Sequence, residues 1–246
     1  MIGVQFNMSG YDDVDLRNFG GQKKKRTAFA QSDTGKQIMT AMIDAVRRKE
    51  ASGMVERFSH HSFLTLRLCG NICCGCVIRD EYSQETVELP GDAVIVATGG
   101  MHGLFGNTTG SLSNTGEVTA ELFRLGVPLA NGEMIQYHPT TVKCGGKRML
   151  ISEAARGEGG RLFAMKDGKQ WYFMEEKYPE LGNLMPRDIT VREIWKVSHE
   201  SEVFLDMTEI SEEIISNKLS GLADDCMTYL HKDIRKEPVS VLPGIH

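Results

Sequence analysis

No stretch of this 246-residue chain strings together the roughly 18 apolar residues needed to cross a bilayer. Its first ten residues, MIGVQFNMSG, lack the basic and apolar regions of a signal peptide. The expectation is therefore a cytoplasmic chain without a membrane span of its own, or one held at a membrane by partners. A footprint for nucleic acid is missing too: the net charge is −5, and the only basic cluster, Lys23-Lys24-Lys25-Arg26, reads as a solvated loop. Two enzyme classes lack their parts. There is no G-x-S-x-G elbow for a serine hydrolase, and no H-E-x-x-H or paired C-x-x-C for a metal cage, so no metal is expected. The G-x-G-x-x-G fingerprint of dinucleotide-binding domains is also missing.

What is present is the composition of an ordinary globular protein, long enough for one large or two modest domains burying roughly 70–75% of the unfolded surface. Four of the six cysteines, Cys69, Cys73, Cys74 and Cys76, are bunched. In a cytoplasmic chain such a bunch raises metal or redox chemistry ahead of a disulfide framework. The turn residues Gly70-Asn71 and the alternation of Cys76 and Ile78 favour a simpler reading, a hairpin strand.

Along the chain, residues 1–31 show no sustained period. Residues 34–49 put Ile38, Ala41, Met42, Ala45 and Val46 on one helical stripe, which predicts a helix packed through one face, with capping candidates Ser32, Asp33 and Thr34 and with Gly53 just past its end. Residues 62–68, 76–80, 85–89 and 93–98 read as strands, the last a continuous apolar run of the kind buried on both faces. The pair Gly99-Gly100 ends it, where a doubly wound sheet lets backbone approach a nucleotide. A helix is expected over 114–125, capped by Asn114 or Thr115. Further on, a hairpin turns at Asp167-Gly168, helices cover 186–199 and 210–230, and a strand covers 202–207. The character changes near residue 131, which is taken as a domain boundary.

The densest chemistry lies in Ser152–Gly160, SEAARGEGG, with Gln136-Tyr137-His138-Pro139 upstream. A hydroxyl, a carboxylate, a guanidinium and an imidazole beside glycines are the inventory of a site for a small carboxylate. Read singly, each residue has a plainer account: Ser152 a cap, Glu153 a surface acid, His138 a core histidine, His246 a frayed terminus. Arg187 stands at a helix start, where the macrodipole disfavours a cation, so it wants an anionic partner. With Arg156 it could clamp a dicarboxylate, since guanidinium forks match carboxylates.

Taken together, AVIVATGG, NTG, GVPLANGEMIQYHPT, SEAARGEGG and NLMPRDI follow one another in an order that resembles the flavoprotein subunits of the succinate dehydrogenase and fumarate reductase family. The resemblance runs from Ala93 to His246. It implies an α/β and α+β fold: part of a glutathione-reductase-like FAD-binding domain over 1–131, then an α+β capping domain over 132–246. It also implies that the pyrophosphate-binding strand-turn-helix and the last FAD-binding segment fall outside these residues, and hence that the chain alone binds flavin weakly or not at all. FAD is the implied cofactor, and hydride transfer between FAD and succinate or fumarate the implied reaction.

By position, His138 and Ser152 match the substrate-binding histidine and hydroxyl, Glu153 and Arg156 the acid and arginine of the active-site motif, Arg187 the arginine in proton transfer, and His246 a second substrate histidine. Phe29 matches an aromatic near the substrate. On the flavin side, Ser62, Phe63 and Leu64 match the strand beside the adenine, Ala97, Thr98 and Gly99 the ATG strand end, and Glu117 a position usually aspartate. The implied partners are an iron–sulfur subunit and a membrane quinone-binding anchor subunit, placing the chain at the cytoplasmic face of the inner membrane. Two other readings share the motifs: an L-aspartate oxidase, and a truncated chain without catalysis.

Overall fold

Short alternating segments broken by glycine and asparagine form hairpins here, and they account for most of the strands. The computed structural model describes residues 3–246; Met1 and Ile2, the start of the segment read for a leader, lie outside it. In chain order the elements are β1 (Leu16–Arg17), β2 (Thr27–Ala28), α1 (Thr34–Ala51), β3 (His61–Cys69), β4 (Ile72–Asp80), β5 (Thr86–Pro90) and α2 (Glu117–Arg124). Then follow β6 (Tyr137–Cys144), β7 (Lys147–Leu150), α3 (Ala154–Gly157), β8 (Arg161–Lys166), β9 (Lys169–Trp171), α4 (Phe173–Lys177) and α5 (Arg187–Ser198). The chain ends with β10 (Val203–Asp206), α6 (Glu212–Lys218), α7 (Ser220–Asp225), β11 (Val239–Ser240) and β12 (Leu242–Ile245).

Among the described residues the strands make four antiparallel sheets, ordered β1-β2, β3-β4-β5, β12-β6-β7 and β11-β10-β8-β9. The predicted hairpins form: Gly70 turns at φ 65°, and Asp167 and Gly168 take φ 51° and 76°, the left-handed pair that joins β8 to β9. The main apolar core gathers Ile151, Leu162, Phe173, Met174, Ile194, Leu205, Ile215, Leu219 and Ile234 between the four-stranded sheet and the helices from α3 onward.

Three expectations are corrected. Residues 93–98 form no strand, and Ile95 is 91% exposed; an apolar run becomes a doubly buried strand only where neighbouring strands flank it, and none pairs with it among the described residues. Helix α1 forms but buries none of its residues, leaving Met39, Met42, Ile43 and Val46 exposed. The cysteine bunch holds a disulfide, Cys69–Cys74, bridging the tip of the β3–β4 hairpin, with Cys73 and Cys76 free. The hairpin reading of that bunch stands, and no cluster suited to a metal occurs among the described residues.

A smaller shift has a local cause. Helix α2 starts at Glu117 rather than 114, with Gly116 at φ 81° as its N-cap and no side-chain cap. Asn114, one of the two expected caps, instead places its side-chain amide 3.2 Å from His102 Nε2.

The β12-β6-β7 sheet is what positions the site. β6 pairs with β12 on one edge, bringing Tyr137 opposite Ile245 and His138 opposite Gly244. That register sets His246 beside His138 across more than 100 residues of sequence. Helix α5 packs against β6, and Ile151 N–H bonds to Thr140 O, which leads the chain directly from the sheet into Ser152 and α3.

Candidate active site

Glu153 is the centre of the site. It is 6% exposed, a burial a carboxylate tolerates only when its oxygens are satisfied. Oε1 accepts from Arg156 Nη2 at 3.1 Å and from the Gly20 N–H at 3.2 Å, and Oε2 accepts from Arg187 Nε at 3.1 Å and Nη2 at 3.0 Å. The reason Gly20 can come so close is its missing side chain: a Cβ there would lie 2.4 Å from Glu153 Oε1. One buried carboxylate thus joins two guanidinium groups.

The two arginines are held differently. Arg156 is 2% exposed, donates through Nη1 to Asn183 O at 2.7 Å, and leaves its buried Nε without a partner. Burial lowers its pKa, with Glu153 opposing and the charge of Arg187 adding to the fall. Arg187 opens α5 after Pro186, whose extended backbone starts the helix. Its Nη1 donates to Gln136 Oε1 at 2.6 Å. The anionic partner that a cation at a helix start requires is Glu153, not the neighbouring Asp188, which pairs with Arg192.

Two imidazoles complete the group. His138 is 1% exposed, with Nδ1 3.2 Å from the Thr140 N–H and 3.1 Å from Thr140 O. Burial first, then the charges of Arg187, Arg156 and His246, push its pKa down to about 2, so it stays neutral. His246 stacks edge to face with it at 5.4 Å between centroids. Its Nδ1 is 2.8 Å from Thr109 Oγ1, and its N–H donates to Gln136 O. Burial and then Arg187 lower its pKa as well. The chain's last residue is therefore anchored, and Gln136 ties it to Arg187, one by backbone and the other by side chain.

Of the residues expected at the site, Glu153, Arg156, Arg187, His138 and His246 come together. Ser152 is adjacent and half-buried, but its hydroxyl accepts the Ala154 N–H at 3.2 Å, the local cap-like role. Phe29 is buried elsewhere, its ring 3.5 Å under the Arg17 guanidinium and 5.7 Å from Lys218 Nζ. Gly20, Gln136 and Asn183 were not assigned roles from sequence. Gln136 lies inside the QYHP motif and Asn183 opens NLMPRDI, so both were in view; Gly20, 133 residues from Glu153, was not.

On the flavin side, Thr98 and Glu117 meet at a small cleft of about 120 Å³ with Gly100, Ser113 and Thr115. A larger cleft of about 430 Å³ runs from Gly100, Met101 and His102 past Thr119 to Gln136 and His246. The residues fit a flavin nucleotide. Hydroxyls and the uncapped N–H groups of α2 suit its phosphate and sugar oxygens, while the larger cleft, mostly apolar with histidines at its margin, suits a flat ring system. Ala97 and Gly99 sit in the exposed segment beside the small cleft. Ser62, Phe63 and Leu64 line neither cleft; they lie half-buried in β3, where the Ser62 hydroxyl donates to Glu81.

The family described as FAD binding domain matches residues 1–246. The succinate dehydrogenase flavoprotein subunit of Bacillus subtilis is 39% identical over all of this chain and 43% of its own length. The 8-methylmenaquinol:fumarate reductase flavoprotein subunit of Wolinella succinogenes is 30% identical over all of this chain and 40% of its own. Among solved structures, E. coli quinol fumarate reductase FrdA superposes with a TM-score of 0.87 at 26% identity, covering all of this chain and 44% of that one. The chain thus spans under half the length of these relatives.

Proposed function

Because the chain belongs to the FAD binding domain family, whose cofactor is FAD, we propose that it carries the dicarboxylate end of a succinate dehydrogenase or fumarate reductase flavoprotein. The single observation that carries this reading is the Arg156–Glu153–Arg187 chain, with Arg156 and Glu153 buried, beside two histidines whose pKa values burial lowers. In the same reading, residues 132–246 form the capping domain and the residues before them part of the FAD-binding domain. The flavin, when bound, supplies or accepts the hydride at C2 or C3 of the acid.

The chain's own residues then do the following. Arg187 has five N–H donors, of which three are spent on Glu153 and Gln136, leaving two at its Nη atoms, one for a substrate carboxylate and one to face the reacting carbon. His138 and His246, each anchored through Nδ1, present Nε2 to the second carboxylate, and being neutral they bind without trapping a proton. Arg187 gives its proton to the carbon opposite the hydride and regains one from Arg156 through Glu153. A guanidinium is a poor proton donor by itself. The burial that lowers Arg156 reduces that cost, and fixed donors around developing charge need no reorganisation.

Amino-acid substrates fit less well. Glu153, the cluster's carboxylate, already serves both arginines and Gly20, so it has no lone pair directed at an ammonium. By analogy with the relatives, electrons would pass to an iron–sulfur subunit and a quinone-binding membrane anchor, with the chain peripheral at the cytoplasmic face of the inner membrane.

The test places these 246 residues in the Bacillus subtilis flavoprotein in exchange for its matching segment and follows succinate oxidation with a dye acceptor. Arg187→Lys is expected to lower kcat at least 1,000-fold, about 4 kcal/mol, at retained flavin absorbance. Oxidation of L-aspartate in preference to succinate, or an unaffected Arg187→Lys variant, would overturn the reading.

A further inference from the structure

Three glycines around the ATGG segment leave space that side chains of this chain fill. A Cβ on Gly99 would lie 3.0 Å from Asn114 Nδ2, one on Gly100 2.9 Å from His102 Cε1 and 3.0 Å from its Nδ1, and one on Gly110 2.5 Å from His102 Cδ2 and 2.7 Å from its Nε2. The imidazole of His102 is thus sandwiched between Gly100 and Gly110, with Asn114 behind it in the space at Gly99. This is a built pocket for one side chain. Residues 102–114 close on themselves at the same point, since the Gly103 N–H donates to Asn114 O at 2.9 Å.

Asn114 Nδ2 lies 3.2 Å from His102 Nε2 and fixes the ring from behind. With the amide donating to Nε2, the ring carries its proton on Nδ1. His102 lines the 430 Å³ cleft together with Gln136 and His246. Its ring is also close enough to His246 to help lower that residue's pKa. The cleft therefore has two histidines anchored in the same manner: His246 through Nδ1 on Thr109, His102 through Nε2 on Asn114. The second has no role in the dicarboxylate chemistry above.

We propose that His102 is a flavin-binding residue, whose Nδ1–H, fixed by Asn114, donates to a hydrogen-bond acceptor on the isoalloxazine edge within the cleft shared with His246. The proposal rests on the family reading above. The glycine pair that ends the ATGG segment serves here to seat a side-chain donor as well as to bare the backbone. An N–H donor at that edge would stabilise electron density arriving on the ring.

The experiment is a titration of the 246-residue chain with riboflavin 5′-phosphate and, separately, with ADP, followed through the imidazole ¹⁵N and ¹H resonances, which report weak binding too. Riboflavin phosphate is expected to move the His102 Nδ1–H resonance, and ADP to leave it in place. His102→Phe should raise the dissociation constant for riboflavin phosphate about tenfold, about 1.4 kcal/mol, and Asn114→Leu, which removes the partner that orients the ring, should abolish the flavin-induced movement of the Nδ1–H resonance. ADP moving His102 as much as the flavin does, or a His102→Phe constant within twofold of the unaltered chain, would overturn the proposal while the family reading stands. No response of any resonance in the larger cleft to riboflavin phosphate would likewise overturn the proposal while the family reading stands.

Discussion

His138 shows most directly how burial and charge combine at one residue. Its folded pKa is pushed down to about 2, against about 6.5 in an unfolded chain. Between those values the unfolded state binds a proton that the folded state refuses. Stability contributed by the neutral ring is therefore complete above pH 6.5 and lost as pH falls, by about 1.4 kcal/mol per unit. Urea unfolding at pH 6 and pH 5 should show His138→Gln losing about 1.4 kcal/mol less than the unaltered chain over that interval; equal losses would mean the ring is protonated in the folded state. Gly20 makes the opposite point, that an absent side chain can organise a site. Gly20→Ala would put a Cβ 2.4 Å from Glu153 Oε1 and 3.1 Å from Met185 O, and is expected to cost about 1–3 kcal/mol in the same measurement. That Glu153 and Arg156 belong to one charged group was legible in SEAARGEGG. That Gly20 donates to it was not, because a contact across 133 residues leaves no local pattern.

At the scale of elements, caps and turns were the most readable features where the partners are local. Asp167-Gly168 predicted its hairpin, and the 186–199 and 202–207 segments formed as α5 and β10. Ser211 caps α6 by accepting the Ile214 N–H at 3.3 Å. Ser211→Ala is expected to lower unfolding stability by about 1 kcal/mol, and a change below about 0.3 kcal/mol would show that Glu212 and Glu213 at the helix start already satisfy that end. Where the partner lies elsewhere, local reading failed in a consistent direction. The 93–98 run has the composition of a buried strand and α1 the stripe of a packed helix, yet burial belongs to a pair of surfaces, and sequence displays only one of them. The cap of α2 moved to Gly116 because Asn114 had a better partner in His102. The disulfide Cys69–Cys74 depends on register across the β3–β4 hairpin, where Cys69 pairs with Ile72 and the strand bulges before Leu66 meets Cys76.

For the whole molecule, the dense core lies from Ile151 onward, whereas much of the apolar surface of α1, the 93–98 segment and α2 faces solvent. The two clefts that fit a flavin nucleotide are small and open at the protein surface, and the strand expected beside the adenine lines neither. Isolated residues 1–246 are accordingly expected to bind FAD weakly, with no stoichiometric yellow complex surviving gel filtration; tight co-purifying flavin would show that the described walls suffice. By itself the sequence determined the family and the cofactor and pointed to the five charged or imidazole residues that the fold brings together, because their types and order repeat the pattern of that family. Only the tertiary structure decided who holds them: Gly20 and Gln136 on the arginine–glutamate chain, Thr109 on His246, Asn114 on His102. Those partners act through distance and direction, which depend on the sheet register of β6 with β12 and on glycines whose absent side chains make room, and neither quantity is written in residue type.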